Sequence, residues 1–339
     1  MVNIPIFHAS KINDISTARY AIESGKLDMV GMTRAHIADP YIIKKLINKE
    51  EEKIRPCVGA TYCLDRIYEG KDTLCIHNPA TGREMSMPHL LKKKVSGLKK
   101  IIVVGAGPAG LEAARVCSEQ GHSVTVFEAS DKPGGQINLI TRSKRRKDMA
   151  GIIDWRINIC EANKVKFNFN SFASKEEILS EKPDIVIIAT GGIPNTDILN
   201  EGSDLVSSTW DILSGNVNIE DDVILYDDGG NYPGLQAAEM ISSETSKLEI
   251  VTPERFFSPD IGGMNFVPYG KNFYEKNVKI SLNSRVKSVF RKGNRLGVKI
   301  SSDYSDLTFE KETSQVIVEH GISPVDDLYF ELKDQSKNL

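Results

Sequence analysis

Apolar and polar residues fall along this chain in short blocks whose spacing alternates between strand and helix. The clearest block is Lys99 to Arg115, where the β-branched run Ile101-Ile102-Val103-Val104 stops at Gly105 and an Ala-rich helical pattern follows at once. A second strand is predicted at Ser123-Val124-Thr125-Val126-Phe127. Nearer the N-terminus, Ile4 to Ala9 reads as a strand, Ile15 to Ser24 as a helix capped by Asp14, Leu27 to Met32 as a strand, and a helix opens near Asp39-Pro40. That βαβα order is the repeat of a parallel α/β structure, but a barrel needs eight strands, so this segment leans on something else or belongs to a larger domain. Downstream come a helix from Ile152 to Ala162, a strand from Val165 to Phe169, and a buried strand, Asp184 to Ile188, that runs into Ala189-Thr190-Gly191-Gly192. A further α/β unit combines strand Asp222 to Asp227, helix Leu235 to Ser242 and strand Leu248 to Val251. Val278 to Ile280, Arg285 to Phe290 and Leu296 to Ile300 alternate like an antiparallel sheet, and Thr313 to Glu319 predicts a strand returning to the first nucleotide domain.

With 339 residues and 40% hydrophobic content, the chain is long enough for about two or three domains. A net charge of -3 gives no reason to expect nucleic acid or an anionic membrane surface as partner. No apolar run approaches the ~20 residues of a membrane span, and the N-terminus lacks the pattern of a signal peptide, so the expected location is cytoplasmic. Met85 to Gly97, with Pro88 and Lys92-Lys93-Lys94, reads as a linker bearing a solvated basic face.

The block at Gly105 carries chemistry. Gly105-Ala106-Gly107-Pro108-Ala109-Gly110 is a GxGxxG between strand and helix, where small residues let the backbone approach a pyrophosphate at a helix N-terminus. Glu128 ends the second strand about 20 residues on, where an acidic side chain binds a ribose hydroxyl. A glycine turn without a ligand is the alternative. The turn of the later unit, Asp228 to Gly234, lacks a clean GxGxxG and its strand ends at Thr252 without an acidic residue, so weak or no NADH binding is expected there. Arg142 to Lys147 reads as a solvated helix start in preference to a flavin or phosphate contact, and His320 as a loop histidine in preference to a base.

Of five cysteines, Cys57, Cys63 and Cys75 cluster with the spacing Cys57-x2-Ala60-x2-Cys63-x11-Cys75. Soft thiolates at such spacing suit an iron–sulfur cluster with one iron open, a three-iron cluster, or one completed by Asp65 or His77. Zinc on three thiolates and a histidine is a further option, and so are three ordinary small hydrophobes. Cys117 and Cys160 read as packing residues.

Three runs together carry a family resemblance. Asp28-Met29-Val30-Gly31-Met32-Thr33-Arg34-Ala35-His36-Ile37-Ala38-Asp39-Pro40 resembles the last strand of the flavin-binding barrel of old-yellow-enzyme-type NADH:flavin oxidoreductases. Cys57-Val58-Gly59 to Cys63, then Cys75-Ile76-His77-Asn78-Pro79, resembles the iron–sulfur segment of trimethylamine dehydrogenase and bacterial 2,4-dienoyl-CoA reductase, members with N-methylproline demethylase-like proteins of one iron–sulfur flavoenzyme family; trimethylamine-dehydrogenase-like proteins have a cysteine where this chain has Ala60. Gly134-Gly135-Gln136 and Ala189-Thr190-Gly191-Gly192 resemble the FAD-contacting signatures of two-dinucleotide-domain oxidoreductases.

The resemblance spans essentially the whole chain. It implies an α/β protein made of the tail of a TIM barrel, an iron–sulfur segment and a Rossmann-like FAD/NAD(P) fold. The implied domains are a barrel tail at 1–54, an iron–sulfur segment and linker at 55–97, the first part of an FAD- or ADP-binding domain at 98–215, a degenerate NAD(P)-like insert at 216–265, and the remainder at 266–339. FAD or ADP would sit on Gly105, Gly107, Pro108, Ala109, Gly110, Glu128, Gly135, Gln136, Ala189, Thr190 and Gly191. The FMN phosphate would meet Gly31, Met32, Thr33 and Arg34, although Ser10-Lys11 replaces the family's Gly-Arg in the preceding loop. Cys57, Cys63 and Cys75 would hold a 4Fe-4S or 3Fe-4S cluster.

The family's proton donor and substrate pocket lie on barrel strands that this chain lacks. It therefore resembles a truncated member that does not hold FMN stably alone, and no catalytic residue is assigned in it. The implied reaction is oxidation of a small amine by N-demethylation, with hydride passing to FMN. Electrons would then travel through the cluster to the FAD-like domain or to an external electron-transfer protein. Two alternatives stand beside it: an NADPH-dependent 2,4-dienoyl-CoA or enoate reductase, and a non-catalytic FAD- or ADP-binding remnant or electron-transfer subunit. A homo-oligomer or a separate barrel chain is the expected assembly.

Overall fold

The computed structural model describes residues 4–93, 96–245 and 247–337; Lys94 of the expected linker lies outside them. The chain is α/β and forms two compact units, Met1–Asn138 with Asp148–Thr190 and Asp326–Leu339, and Leu139–Lys147 with Gly191–Val325.

In the first unit, β1 (Phe7–His8), α1 (Ile15–Glu23), β2 (Met29–Val30), α2 (Thr33–Ala38), α3 (Ile42–Ile47) and α4 (Tyr62–Tyr68) precede the nucleotide motif. Asp14 caps α1, accepting from the Thr17 amide at 2.7 Å. β1 and β2 pair in parallel, Phe7 opposite Met29, and are much shorter than the apolar runs that predict them. The pair is a two-stranded sheet, a marginal structure in itself. Phe7 and Met29 are 63% and 51% exposed. The helix expected near Asp39-Pro40 is two helices, because α2 closes at Asp39, the residue before a proline, where helical backbone is disfavoured. Ile12, Ala18, Met32, Ala35 and Ile42 form the small core beneath them.

The same unit continues through β3 (Lys100–Val104), α5 (Pro108–Glu119), β4 (Ser123–Phe127), α6 (Gly151–Ala162), β5 (Lys166–Asn168), α7 (Lys175–Ser180) and β6 (Ile185–Ile188). The strands lie in the order β5-β4-β3-β6, all parallel, with Ile101 between Val124 and Ile185. β3 is buried from Ile101 to Val104, as a near-continuous apolar run in a parallel sheet should be. Ile102, Val104, Phe127 and Ile178 form one core with Leu332 of the C-terminal helix Asp327–Leu332.

The second unit contains β7 (Gly192–Pro194), β8 (Ser207–Ser208), α8 (Thr209–Ser214), β9 (Val223–Asp227), α9 (Tyr232–Glu244), β10 (Leu248–Val251), α10 (Gly263–Glu275), β11 (Lys279–Ser281), β12 (Ser284–Lys292), β13 (Arg295–Ser302), β14 (Ser305–Thr313), β15 (Gln315–Glu319) and β16 (Ile322–Pro324). A parallel sheet ordered β11-β10-β9-β15-β8 packs against the antiparallel sheet β12-β13-β14 through Ile224, Tyr226, Val289, Val298 and Val318.

Two expectations are corrected here. Val278 to Ile280 contributes to β11, which is parallel to β10 and outside the antiparallel sheet. The strand expected at Thr313 to Glu319 is β15, which joins β9 and β8 and does not return to the first sheet. Its alternation explains why: Ile317 enters one core of this unit while Val316 and Val318 enter the other, and burial on both faces marks a central strand without saying of which sheet. Arg142 to Lys147 is exposed at Arg142, Lys144, Arg145 and Lys147, as a solvated stretch leading into α6 should be; within it Arg142 donates to the Ser214 carbonyl at 3.2 Å, Arg145 pairs with Glu239 at 2.5 Å, and Arg146 alone of its basic residues is buried, over the Tyr232 ring.

Candidate functional site

The first nucleotide turn is built by three glycines with different reasons to be glycine. The Gly105 amide donates to the Phe127 carbonyl at 2.8 Å, and its φ of +102° already favours glycine. A Cβ on Gly105 would lie 2.3 Å from the Ala189 carbonyl oxygen, and one on Gly110 would lie 1.9 Å from the Gly105 carbonyl oxygen. Both are required by the packing of β3, α5 and the end of β6. Gly107 is different. Its φ of -70° suits any residue, and among the described residues no atom stands within 4 Å of the Cβ it lacks.

Gly107 is the N-cap of α5, which has no side-chain cap, and Pro108 follows at the first helical position. The first-turn amides and the positive end of the helix dipole are therefore left for a ligand. The Gly134 amide donates to the Ala106 carbonyl at 2.9 Å, and a Cβ on Gly135 would sit 3.2 Å from the Gly107 Cα, so the Gly134-Gly135-Gln136 loop adjoins the turn. Glu128 accepts from the Ala106 amide at 2.6 Å and from the Ser130 amide at 2.9 Å, which fixes its carboxylate at the edge of the turn. Ala109 is exposed, while Gln136, Ala189 and Thr190 are half-buried. Gly191, where the second unit begins, has a φ of +68° with nothing within 4 Å of its absent Cβ.

The second turn follows the same plan and departs at the decisive position. Gly229 and Gly234 correspond to Gly105 and Gly110, but Asn231 stands where the first turn has Gly107, as the N-cap of α9. Its Nδ2 folds back to the Gly229 carbonyl at 3.2 Å. Beneath it, Asp227 is fully buried and accepts from the Gly229 and Gly230 amides at 3.0 and 3.1 Å. Burial, with the neighbouring charges of Glu319 and Asp228, pushes its carboxyl up to about 7. Glu319 lies opposite Asp227 across β15 and β9, is also raised by burial, and accepts from the Thr209 hydroxyl. Asp228 meets His320 Nδ1 at 2.5 Å. Sequence reading missed this acidic group, although Asp227-Asp228 and Glu319-His320 are adjacent pairs at two strand ends.

Cys57, Cys63 and Cys75 lie on the connection through α4, half-buried and free. Burial raises the Cys57 and Cys63 thiols, the other cysteine charges add to it, and Arg34 acts in the opposite direction on both. The three cysteines and Arg34 are thus brought into one neighbourhood. Among the described residues, however, no three His, Cys, Asp or Glu side chains form a ready metal centre. His77 is fully buried and its Nδ1 meets the Pro56 carbonyl at 2.9 Å; burial, reinforced by Arg156, drives it down to about 3, so the ring is neutral. Gly31 is glycine for packing, since a Cβ there would lie 2.6 Å from the Ala9 Cβ.

The cysteine connection is anchored on α6. Trp155 Nε1 donates to the Lys53 carbonyl at 3.1 Å, and His77 meets the Trp155 ring edge-on at 5.4 Å. Beside it, Glu112 holds Arg115 at 2.6 Å and Arg156 at 2.8 Å, and Arg115 also holds Glu119 at 2.9 Å. Burial would raise the Glu112 carboxyl, but the Arg115 hydrogen bond and the surrounding guanidiniums outweigh it and hold it at about 2. Of the other cysteines, Cys160 is fully buried with its thiol pushed up to about 12, and Cys117 is half-buried.

Two parallel nucleotide-type folds, the first open at its glycine turn, define a dinucleotide-binding oxidoreductase class of architecture. The chain belongs to the pyridine nucleotide-disulphide oxidoreductase family, whose model matches residues 67–211 and 99–337. It is 52% identical over 337 residues to a probable N-methylproline demethylase of Rhizobium meliloti strain 1021, covering 99% of this chain and 50% of that protein. It is 41% identical over 346 residues to the N,N-dimethylglycine/sarcosine dehydrogenase of Chromohalobacter salexigens, covering 100% of this chain and 50% of that one. Among solved structures, a 2-naphthoyl-CoA reductase in complex with 2-naphthoyl-CoA matches with a TM-score of 0.87 at 29% identity, over 99% of this chain and 50% of that chain. The family and these relatives are oxidoreductases. The chain spans about half the length of the curated relatives it matches.

Proposed function

We propose that this chain is the electron-transferring half of an iron–sulfur flavoprotein that oxidises small N-methylated amines. The observation that carries the reading is the open space over Gly107 at an uncapped helix N-terminus, a glycine that the protein's own packing does not require. The two curated relatives at 52% and 41% identity, named for N-methylproline and for dimethylglycine and sarcosine, support an N-methyl amine as substrate class.

When bound, FAD, FMN and the cluster would supply hydride acceptance and single-electron transfer. The residues of this chain bind and orient. The α5 amides and dipole would neutralise a pyrophosphate, and Glu128 would accept from ribose hydroxyls in competition with the Ala106 amide. Gly135, Gln136, Ala189, Thr190 and Gly191 are the further residues that would contact the nucleotide. Cys57, Cys63 and Cys75 are the soft donors for iron, Ala60 offers none, and Gly31 with Arg34 would meet an FMN phosphate on the barrel tail. The remaining barrel would be supplied by further polypeptide, and the electrons accepted by the FAD-like unit or by an external protein. A cytoplasmic location fits this reading; among the described residues no helix is long and apolar enough to cross a membrane.

The whole-chain match to a 2-naphthoyl-CoA reductase favours a second reading, an NAD(P)H-dependent reductase of enoyl-type thioesters. Asn231 argues against it, because a side chain occupies the place where a nicotinamide nucleotide needs glycine. Cofactor analysis of the protein, purified and reconstituted anaerobically, separates the readings. FAD or ADP with iron and sulfide, and no NAD(P)H oxidation, is the expected result. NADPH oxidation with an enoyl acceptor would transfer the chain to the reductases, and nucleotide without iron or sulfide would remove the cluster from the proposal.

A further inference from the structure

A cavity of about 170 Å³ opens in the first unit, between α2, the chain around Arg55 and α6, walled by Tyr41, Trp155 and Ile159. At ~30 Å³ per water it has room for about five waters, or for one small organic ion. Its polar lining is mainly cationic: Lys45, Lys53, Arg55 and Arg115 against Asp39 and Glu119.

Most of these charges are already matched. Lys45 pairs with Asp39 at 2.5 Å, Lys53 with Glu50 at 2.5 Å, and Arg115 with Glu112 and Glu119. Arg156, behind Trp155, uses Glu112 as well. Arg55 is the exception. It is only 7% exposed, and its guanidinium lies 4.3 Å over the Trp155 ring. Among the described residues no hydrogen bond or ion pair reaches that guanidinium, and its Nε is buried without a partner. The Asp39 carboxylate takes the Arg55 backbone amide at 2.8 Å and the Lys45 ammonium instead. Three guanidiniums, Arg55, Arg115 and Arg156, are therefore packed around Trp155 with two carboxylates, Glu112 and Glu119. One buried positive charge is left over, and leaving a buried charge unpaired is strongly destabilising.

We infer that this cavity is a binding site for a small oxyanion, a carboxylate or phosphate, held by the Arg55 guanidinium against Trp155. The guanidinium fork suits two oxygens at once, and stacking on Trp155 fixes its plane while the remaining walls take an apolar body. Nothing in this inference depends on the flavin or iron reading.

Trp155 is the reporter. The chain has two tryptophans, Trp155 and Trp210, so Trp210→Phe isolates the emission of the first. That variant is titrated with inorganic phosphate and, separately, with propionate at constant ionic strength, with chloride as reference. The expected result is a saturable change in Trp155 emission with at least one oxyanion and none with chloride. Which of the two responds identifies phosphate or carboxylate as the ligand class. Arg55→Gln should weaken the response by about tenfold to a hundredfold, the range of a charge-assisted contact, while Arg55→Lys keeps part of it. No saturable change with either anion overturns the inference, and so does undiminished binding in a folded Arg55→Gln protein. If that variant does not fold, the titration of the Trp210→Phe protein still decides.

Discussion

Replacing Gly107 with alanine should separate what the first turn needs for folding from what it keeps for a ligand. The backbone there, φ -70° and ψ 179°, is open to alanine, and the new methyl would meet no atom within 4 Å. The entropic gain of Gly→Ala, about 0.4–1 kcal/mol, is offset by the poorer N-cap, so stability should stay within about 1 kcal/mol of the parent. Ligand binding should not. A methyl pressed against a bound pyrophosphate carries the penalty of an overpacked contact, about 1–3 kcal/mol, which is roughly tenfold to a hundredfold in Kd. Gly110→Ala is the opposite case, because its methyl would fall 1.9 Å from a backbone oxygen and α5 would have to move off β3. We expect it to lose about 3 kcal/mol or more. Urea unfolding of both variants, paired with calorimetric titration of ADP, reads the two effects apart. A Gly107→Ala protein that binds ADP as tightly as the parent would refute the assignment of this turn to a nucleotide.

Asp227 makes the fold sensitive to pH. In the native chain it keeps its proton up to about 7, whereas an unfolded chain releases it near the ordinary value of ~3.9. The native state binds the extra proton between those values, so this contribution is complete at low pH and is lost as pH rises through about 7. Asp227→Asn should therefore be more stable than the parent at pH 8, by up to about 4 kcal/mol (roughly three pKa units at about 1.36 kcal/mol each), with the difference shrinking towards pH 5. Equal pH dependence of the two unfolding curves would contradict the burial argument. Glu112→Gln leaves Arg115 and Arg156 short of their shared carboxylate, and chemical denaturation should register a loss of about 3–5 kcal/mol.

The parts of the fold that were legible in the sequence are those fixed by local pattern. Ile101 to Val104 followed by GxGxxG is a strand, a tight turn and a helix in any context, and the chain builds it so. Gly105 and Gly110 announce close backbone approaches that the structure supplies. Long-range choices were not legible. Val316-Ile317-Val318 says "buried on both faces", and two parallel sheets in this chain could accept such a strand; β9, itself buried throughout, is the neighbour that takes it. The helix Gly263–Glu275 was hidden by Gly263, Pro268 and Gly270, whose poor propensity is overridden by the burial of Tyr269 and Phe273 in the core beneath β9 and β10. β14 was hidden because Ser305 to Thr313 is nearly all exposed and its alternation is confined to two apolar residues, Leu307 and Phe309. At the candidate site, the glycines were readable but the role of each was not, since only geometry shows that, of Gly105, Gly107 and Gly110, it is Gly107 that has no described atom within 4 Å of its absent Cβ.

The two nucleotide turns are one scaffold put to unlike uses, and the difference can be weighed. A pyrophosphate approaching the N-terminus of α5 meets amides without a side-chain cap and a vacant glycine face. Approaching α9 it would meet the Asn231 side chain folded over the turn, with Asp227, Asp228 and Glu319 gathered at the strand ends below. The helix dipole favours an anion by about 0.3–2 kcal/mol. A single carboxylate at ~4 Å from a phosphate charge opposes it by about 4 kcal/mol in a surface-like dielectric, so one ionised member of that group suffices to reverse the preference. Removing Asn231 alone would not restore a nicotinamide site, because the repulsion lies in the strand ends that Gly234 was kept small to accommodate: a Cβ there would strike the Asp227 carboxylate at 2.4 Å. The glycine that packs the helix has been retained, while the position that would admit the ligand is filled and its floor is acidic. Electrons entering a chain of this design should therefore leave by a route other than a dinucleotide bound at the second turn.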